Sequence, residues 1–328
     1  MGEVLSILAG GAFRLIKRSG SHLHILPNPV ANSLSIRRAR FTMIPCPPPD
    51  PDPSKPRFLL PAGACDSHCH ILGPADRFPY SQDRAYDPPD APKERLFALH
   101  RHLGISRAVI VQASCHGLDN SAMVDALKDF PETTRGVANV PLDCTEEQIA
   151  ALDGVGVRGA RFNFMSRILE APPLKAIDRV LERIAPFGWH AVLHFDAEQI
   201  PELKNWINRL PIPYVIDHMG RLRGRDYGGA YFRHLCAIME RDLAWVKISG
   251  AERESETGAP YSDMVPIAQS LVEIAPQRIL WGTDWPHPVL TTPMPDDGHL
   301  VDLLFEMVPD DAIRNAILID NPARLYGF

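Results

Sequence analysis

The chain has 328 residues, 45% hydrophobic and 23% charged, with a formal net charge of −6. That length suits one barrel of about 250 residues or two smaller domains. The composition is that of an ordinary globular protein, and the acidic balance excludes a generic nucleic-acid binder, whose affinity comes from a basic surface.

No stretch reaches the roughly 18 apolar residues that a membrane span requires. The cysteines Cys46, Cys65, Cys69, Cys115, Cys144 and Cys236 are too scattered for a zinc ribbon and too sparse for a disulfide framework. They read as reduced thiols in a cytoplasmic-type compartment.

Residues 1–42 stand apart, with Arg14, Lys17, Arg18, Arg37, Arg38 and Arg40 set against the single acid Glu3. Such a bias fits a targeting segment, mitochondrial if genuine; the alternatives are a true start at Met43 or a structured extension. Pro45 to Pro56 is too rich in proline for helix or sheet interior and reads as an extended arm. Residues 1–56 are therefore predicted as a non-barrel N-terminal extension and residues 57–328 as one folded domain.

The domain opens on Ala62-Gly63-Ala64-Cys65, which leads into Asp66-Ser67-His68-Cys69-His70. Strand alternation would turn Asp66, His68 and His70 to one face, where two imidazoles and a carboxylate make a poor core and a good site. Gly73 to Pro92 follows with no apolar periodicity, a loop long enough to serve as a flap over that site.

Apolar strand-like runs then recur at Ala108–Gln112, Arg135–Val140, Val157–Phe164, Trp189–Phe195, Tyr214–Met219, Ala244–Ser249 and Ile279–Asp284. Helical patterns separate them at Lys93–His102, Asn120–Asp129, Glu146–Leu152, Leu174–Ile184, Ile200–Arg209, Tyr231–Arg241 and Met264–Ile274, with Thr145 and Gln148 forming an N-cap signature. Eight strands alternating with helical patterns predict a (β/α)8 TIM barrel. The competing doubly wound sheet lacks its Gly-rich nucleotide fingerprint after the first strand.

In such a barrel the carboxyl ends of the strands share one mouth, and the unusual polar residues fall there. They are His68 and His70; Gln112, Ser114, Cys115 and His116; Arg161 and Asn163 with Arg167 beyond; His194 and Asp196; Asp217 and His218; Lys247 with Arg253 nearby; and Asp284 with His287. Each has a bland alternative. His194 suits a core histidine, His287 a loop cap, and Arg161 and Arg167 surface pairs with Glu170 or Asp178. Cys115 is a weak nucleophile candidate, because most thiols are inert. Asp284, between Gly282-Thr283 and Trp285-Pro286, is costly to bury without a charge partner or a catalytic role.

The Asp-Ser-His-Cys-His set, the histidines ending strands five and six, and Trp281-Gly282-Thr283-Asp284-Trp285-Pro286-His287-Pro288 resemble the amidohydrolase superfamily. Within it, Val111-Gln112-Ala113-Ser114-Cys115-His116-Gly117, Arg158-Gly159-Ala160-Arg161-Phe162-Asn163-Phe164 and Ile216-Asp217-His218-Met219-Gly220-Arg221 are similar to the pyrone-dicarboxylate lactonases. The similarity runs from about Lys55 to Tyr326. It implies a barrel that opens a carboxylated lactone such as 2-pyrone-4,6-dicarboxylate, with no metal required. Asp284 would be the base, with His68, His70 and His218 around the scissile carbonyl, while Arg161, Arg167, Arg253 and Ser114 hold a small dicarboxylate-type substrate.

At His194 these lactonases are expected to carry a tyrosine. A histidine there adds a substrate-binding candidate and completes an alternative set, His68, His70, His194 and Asp284, suited to one zinc. Two rival functions stay open: a metal-dependent hydrolase of a sugar or sulfonated lactone, or decarboxylase or hydratase of an unsaturated acid; and a non-catalytic anion-binding barrel. The sequence is also compatible with a homo-oligomer.

Overall fold

The computed structural model describes residues 43–165, 167–168 and 170–328, and the backbone of Val4–Ala9, Ala12–Ser19 and His22–Ile25. The chain divides into two units, Met1–Thr42 and Met43–Phe328. In the first, the three strands form their own antiparallel sheet, with Val4 opposite Lys17 and Ile16 opposite Ile25. Arg37, Arg38 and Arg40, which weighed in the targeting reading, lie outside the described residues.

In the second unit eight parallel strands follow one another in chain order: β1 (Cys65–Cys69), β2 (Arg107–Val111), β3 (Thr134–Ala138), β4 (Val157–Asn163), β5 (His190–His194), β6 (Tyr214–Ile216), β7 (Ala244–Lys247) and β8 (Ile279–Leu280). The first and last strands are joined by Ser67 N to Trp281 O at 2.8 Å, Asp284 N to His68 O at 2.7 Å and His70 N to Trp285 O at 2.8 Å. The sheet thus closes on itself as the predicted barrel.

The helices between the strands are α1 (Lys93–Leu103), α2 (Ser121–Asp129), α3 (Glu146–Asp153), α4 (Leu174–Ile184), α5 (Ile200–Ile207), α6 (Ala230–Met239) and α7 (Val265–Ile274); α8 (Asp297–Met307) follows β8. Each lays one apolar stripe on the sheet. In α4, Ala176, Ile177, Val180, Leu181 and Ile184 are buried at helical spacing, the pattern of an amphipathic helix on a core. The Thr145–Gln148 capping box starts α3 as expected. Inside the barrel Cys65, Val109, Val111, Val137, Val192, Val215 and Leu280 form a layer with the fully buried Tyr326.

The proline-rich stretch, grouped with the extension on composition, belongs to the second unit. Ile44 pairs with Tyr86, and Ser54 N donates to Asp296. The long loop after β1 is pinned by pairing of Leu72 with Ala91.

Two expected strands are shorter than their apolar runs suggest. β6 stops at Ile216 because His218, Met219, Gly220 and Arg221 all take positive φ, at 54°, 53°, 63° and 52°. β8 stops at Leu280, and Asp284 has φ 63°. Non-glycine residues rarely adopt this region, and where they do it commonly marks a functional site.

Candidate active site

Asp66, His68 and His70 do not share a face as strand alternation predicted. The register of β1 on β2 shifts between Asp66 and Cys69, and this irregularity sets Asp66 apart from His68 and His70. The Asp66 carboxylate accepts from His68 N at 3.0 Å, Thr283 N at 3.1 Å and Thr283 Oγ1 at 2.6 Å, with His100 Nε2 at 3.1 Å. It ties β1 to the segment after β8. His68 and His70 do reach the mouth.

There they meet Asp284. His70 Nε2 is 3.2 Å and His68 Nε2 3.6 Å from Asp284 Oδ1, while His218 Nε2 is 3.8 Å from Oδ2. All four side chains are buried. Arg253 Nε donates to Asp284 Oδ2 at 2.5 Å, and its Nη1 to Pro288 O at 2.9 Å. Burial alone would raise the Asp284 carboxyl; Arg253 and the surrounding imidazoles outweigh it and hold the group well below the usual carboxylate range.

Beneath this cluster lies a second charge knot. Asp217 receives Arg161 Nε at 3.1 Å and Lys247 Nζ at 3.1 Å. His68 Nδ1 sits between Lys247 Nζ at 2.9 Å and Asp217 Oδ1 at 3.2 Å, a donor and an acceptor, so either tautomer finds a partner. Burial and then Lys247 push His68 far down, and burial takes His218 to about 4. At neutral pH both rings are uncharged.

Neighbours fix two further tautomers. His70 Nδ1 contacts the Val111 carbonyl at 2.7 Å and must donate to it. That leaves Nε2 facing a carboxylate oxygen, a position for a proton in transit. His194 Nδ1 lies 3.1 Å from Arg161 Nη2. A guanidinium only donates, so this nitrogen accepts and the His194 proton sits on Nε2, which is buried without a partner among the described residues.

This argues against the His68–His70–His194–Asp284 metal set. The His194 lone pair is already occupied by Arg161. Instead, a ring nitrogen each from His68 and His218 and an oxygen of Asp284 lie within 4.8 Å of one another. Two imidazoles and a carboxylate are a proper donor set for a divalent ion. The partnerless Nε2 of His68 is consistent with such a ligand.

The cavity over Asp284 is walled by His70, Tyr86, Ser114, Arg161, Arg167, His194, His218, Arg221 and Arg253 among others. Of the residues expected at the substrate, all but the fully buried His68 line it. Arg161 is not a surface residue paired with Glu170 or Asp178, because Asp217 holds it; Asp178 accepts from Trp206 instead. Arg167 is exposed and has no carboxylate partner among the described residues. Cys115 is buried, its thiol pushed up to about 12 by burial, and makes no nucleophile at neutral pH.

Sequence reasoning missed Tyr86 and the part played by Arg221. Tyr86 comes from the loop after β1 and places its hydroxyl 3.3 Å from Ser114 Oγ. Its one sequence signal was an aromatic in a long loop beside the site. Arg221 is anchored by Asp196 at 2.9 Å and Glu254 at 2.6 Å. His287, weighed as a loop cap, is buried between Glu252 and Asp297.

The family model described as amidohydrolase matches residues 65–328. A 2-pyrone-4,6-dicarboxylate hydrolase of Comamonas testosteroni is 45% identical over 286 residues, covering 84% of this chain and 93% of its own length. A 4-sulfomuconolactone hydrolase of Rhizobium radiobacter is 38% identical over 287 residues, 86% of this chain and 96% of that one. The apo crystal structure of an Agrobacterium tumefaciens protein superposes with a TM-score of 0.72 at 27% identity, over 83% of this chain and 98% of that one.

Proposed function

This chain belongs to the amidohydrolase family, and we propose that its buried Asp284 drives water onto the ester carbonyl of a carboxylated lactone such as 2-pyrone-4,6-dicarboxylate. The observation that carries this is the convergence of three imidazoles on Asp284, at 3.2, 3.6 and 3.8 Å, beneath a rim where Arg167 has no carboxylate partner among the described residues. Asp284 takes a proton from water as the oxygen adds to the carbonyl carbon. His70 Nε2, facing the same carboxylate oxygen, can receive that proton. The ring C–O bond then breaks, and the proton returns to the leaving oxygen.

His194 lines the cavity and its Nε2–H has no partner among the described residues, so it is the donor available to the developing oxyanion, a contact typically worth a few kcal/mol. Ser114 Oγ donates to the Tyr86 hydroxyl and can accept from the substrate. Arg167 forks onto a substrate carboxylate. Arg161 and Arg253 keep only part of their donors free, the rest being committed to Asp217 and to Asp284 and Pro288. Amidohydrolases often use a metal; His68, His218 and Asp284 would hold one here, and it would polarise the carbonyl and lower the pKa of a bound water to about 7.

The test is to assay the full-length chain on 2-pyrone-4,6-dicarboxylate and on a sulfonated lactone, with and without chelator and after adding zinc. Ring opening of the dicarboxylate is expected. Failure to open any carboxylated or sulfonated lactone under every condition would overturn the proposal, and loss of activity on chelation would assign the metal to the reaction.

A further inference from the structure

The cavity above Asp284 encloses only about 40 Å³, room for a few waters, whereas sites for small organic ligands usually reach about 300 Å³ or more. A substituted ring cannot lie wholly within it. The part of the substrate remote from the scissile ester must project past the rim, and one direction has space for it.

Between the loops that follow β2, β3 and β4 lies a second hollow of about 370 Å³. Ser114, Arg161 and Asn163 line both it and the catalytic cavity, so the two adjoin. Its remaining wall is largely apolar, from Leu118, Val140, Leu142 and Phe162. Leu118 is 58% exposed and Leu142 37%; an apolar group seated between them would remove that area from water. Glu170 also lines it, and its charge opposes a second carboxylate there.

We propose that this hollow is a substrate subsite for an uncharged, apolar ring substituent. Monocarboxylated lactones bearing an alkyl or aryl group are then substrates alongside dicarboxylated ones. The proposal rests on the lactonase reading: Arg167 and Asp284 line the catalytic cavity, and Leu118 and Leu142 line the hollow that adjoins it.

The first measurement is calorimetric binding of benzoates with no tail, a meta-ethyl or a meta-butyl tail to the full-length protein. Affinity should rise about threefold per methylene, somewhat less than full burial would give. Leu142→Asp, and separately the more exposed Leu118→Ser, should flatten that series. A series flat in the wild type, or equally steep in both variants, overturns the subsite.

The second measurement compares kcat/KM for 2-pyrone-4,6-dicarboxylate with that for 6-butyl-2-pyrone-4-carboxylate, expected to agree within about tenfold, the smallest discrimination one methylene usually brings. If the dicarboxylate opens and the butyl compound is at least about a hundredfold slower, the subsite proposal fails and the lactonase reading stands. If neither opens, the lactonase reading fails and the substrate role of the hollow fails with it.

Discussion

At the scale of single residues, the site divides its carboxylates and cations into those that serve the fold and those left for chemistry. Asp217 is ion-paired with Lys247 and Arg161 and lies against His68. Asp284 has one strong partner, Arg253, and otherwise faces neutral or proton-accepting nitrogens. Asp284→Asn keeps the shape but cannot take a proton, and kcat should fall by about 10³-fold or more. Arg253 would lose its main carboxylate, so stability should drop by about 3 kcal/mol. Residual activity within tenfold of wild type, in a protein with an unchanged circular dichroism spectrum, would remove Asp284 as the base. Arg167→Met tests a different quantity. With no protein partner to orphan, its loss should raise KM for an anionic lactone roughly 10- to 100-fold while kcat changes little, the pattern of lost ground-state binding. An unchanged KM would separate Arg167 from substrate.

At the scale of elements, the barrel depends on how β8 meets β1. A Cβ on Gly282 would collide with the His68 backbone nitrogen and lie 2.8 Å from Asp66 Oδ1. Gly282→Ala must therefore push the two strands apart, just where Asp284 N bonds His68 O and Asp66 holds Thr283. A methyl forced into packed backbone costs about 1–3 kcal/mol, and a shift of about 1 Å at a catalytic pair can cost about 10²-fold in rate. Thermal melts and kcat should both fall; a variant with normal kcat would show that this contact does not position the base. Strand positions could be read from the sequence because parallel barrel strands are buried on both faces and apolar throughout. Strand ends could not. The left-handed backbone at His218–Arg221 and at Asp284 comes from tertiary contacts that no local apolar run records, and the bulge after Asp66 defeats simple alternation.

At the scale of the whole molecule, the motifs located the residues of the site but not their partners. His194 looked like a metal ligand until Arg161, from the neighbouring strand, was seen to occupy its lone pair. His287, whose bland reading is a loop cap, links the site to α8. Its Nδ1 is 3.3 Å from Glu252, its Nε2 3.2 Å from Asp297, and Glu252 also lies 3.5 Å from Arg253 Nε. Burial would push this imidazole down, but Asp297 and Glu252 prevail and raise it to about 10. The unfolded chain releases the same proton near about 6.5. The stabilisation is thus complete below about 6.5 and is lost as pH climbs through about 10, because the folded state binds more protons over that window. Asp297 is itself raised, because burial outweighs the imidazolium beside it. Unfolding free energy from urea titrations should therefore fall between pH 6.5 and 10 by up to about 1.4 kcal/mol per unit from this group. In His287→Gln that share of the slope should vanish. Parallel slopes in the two proteins would mean that His287 is neutral in the fold and does not carry the charge link between Asp297 and Glu252.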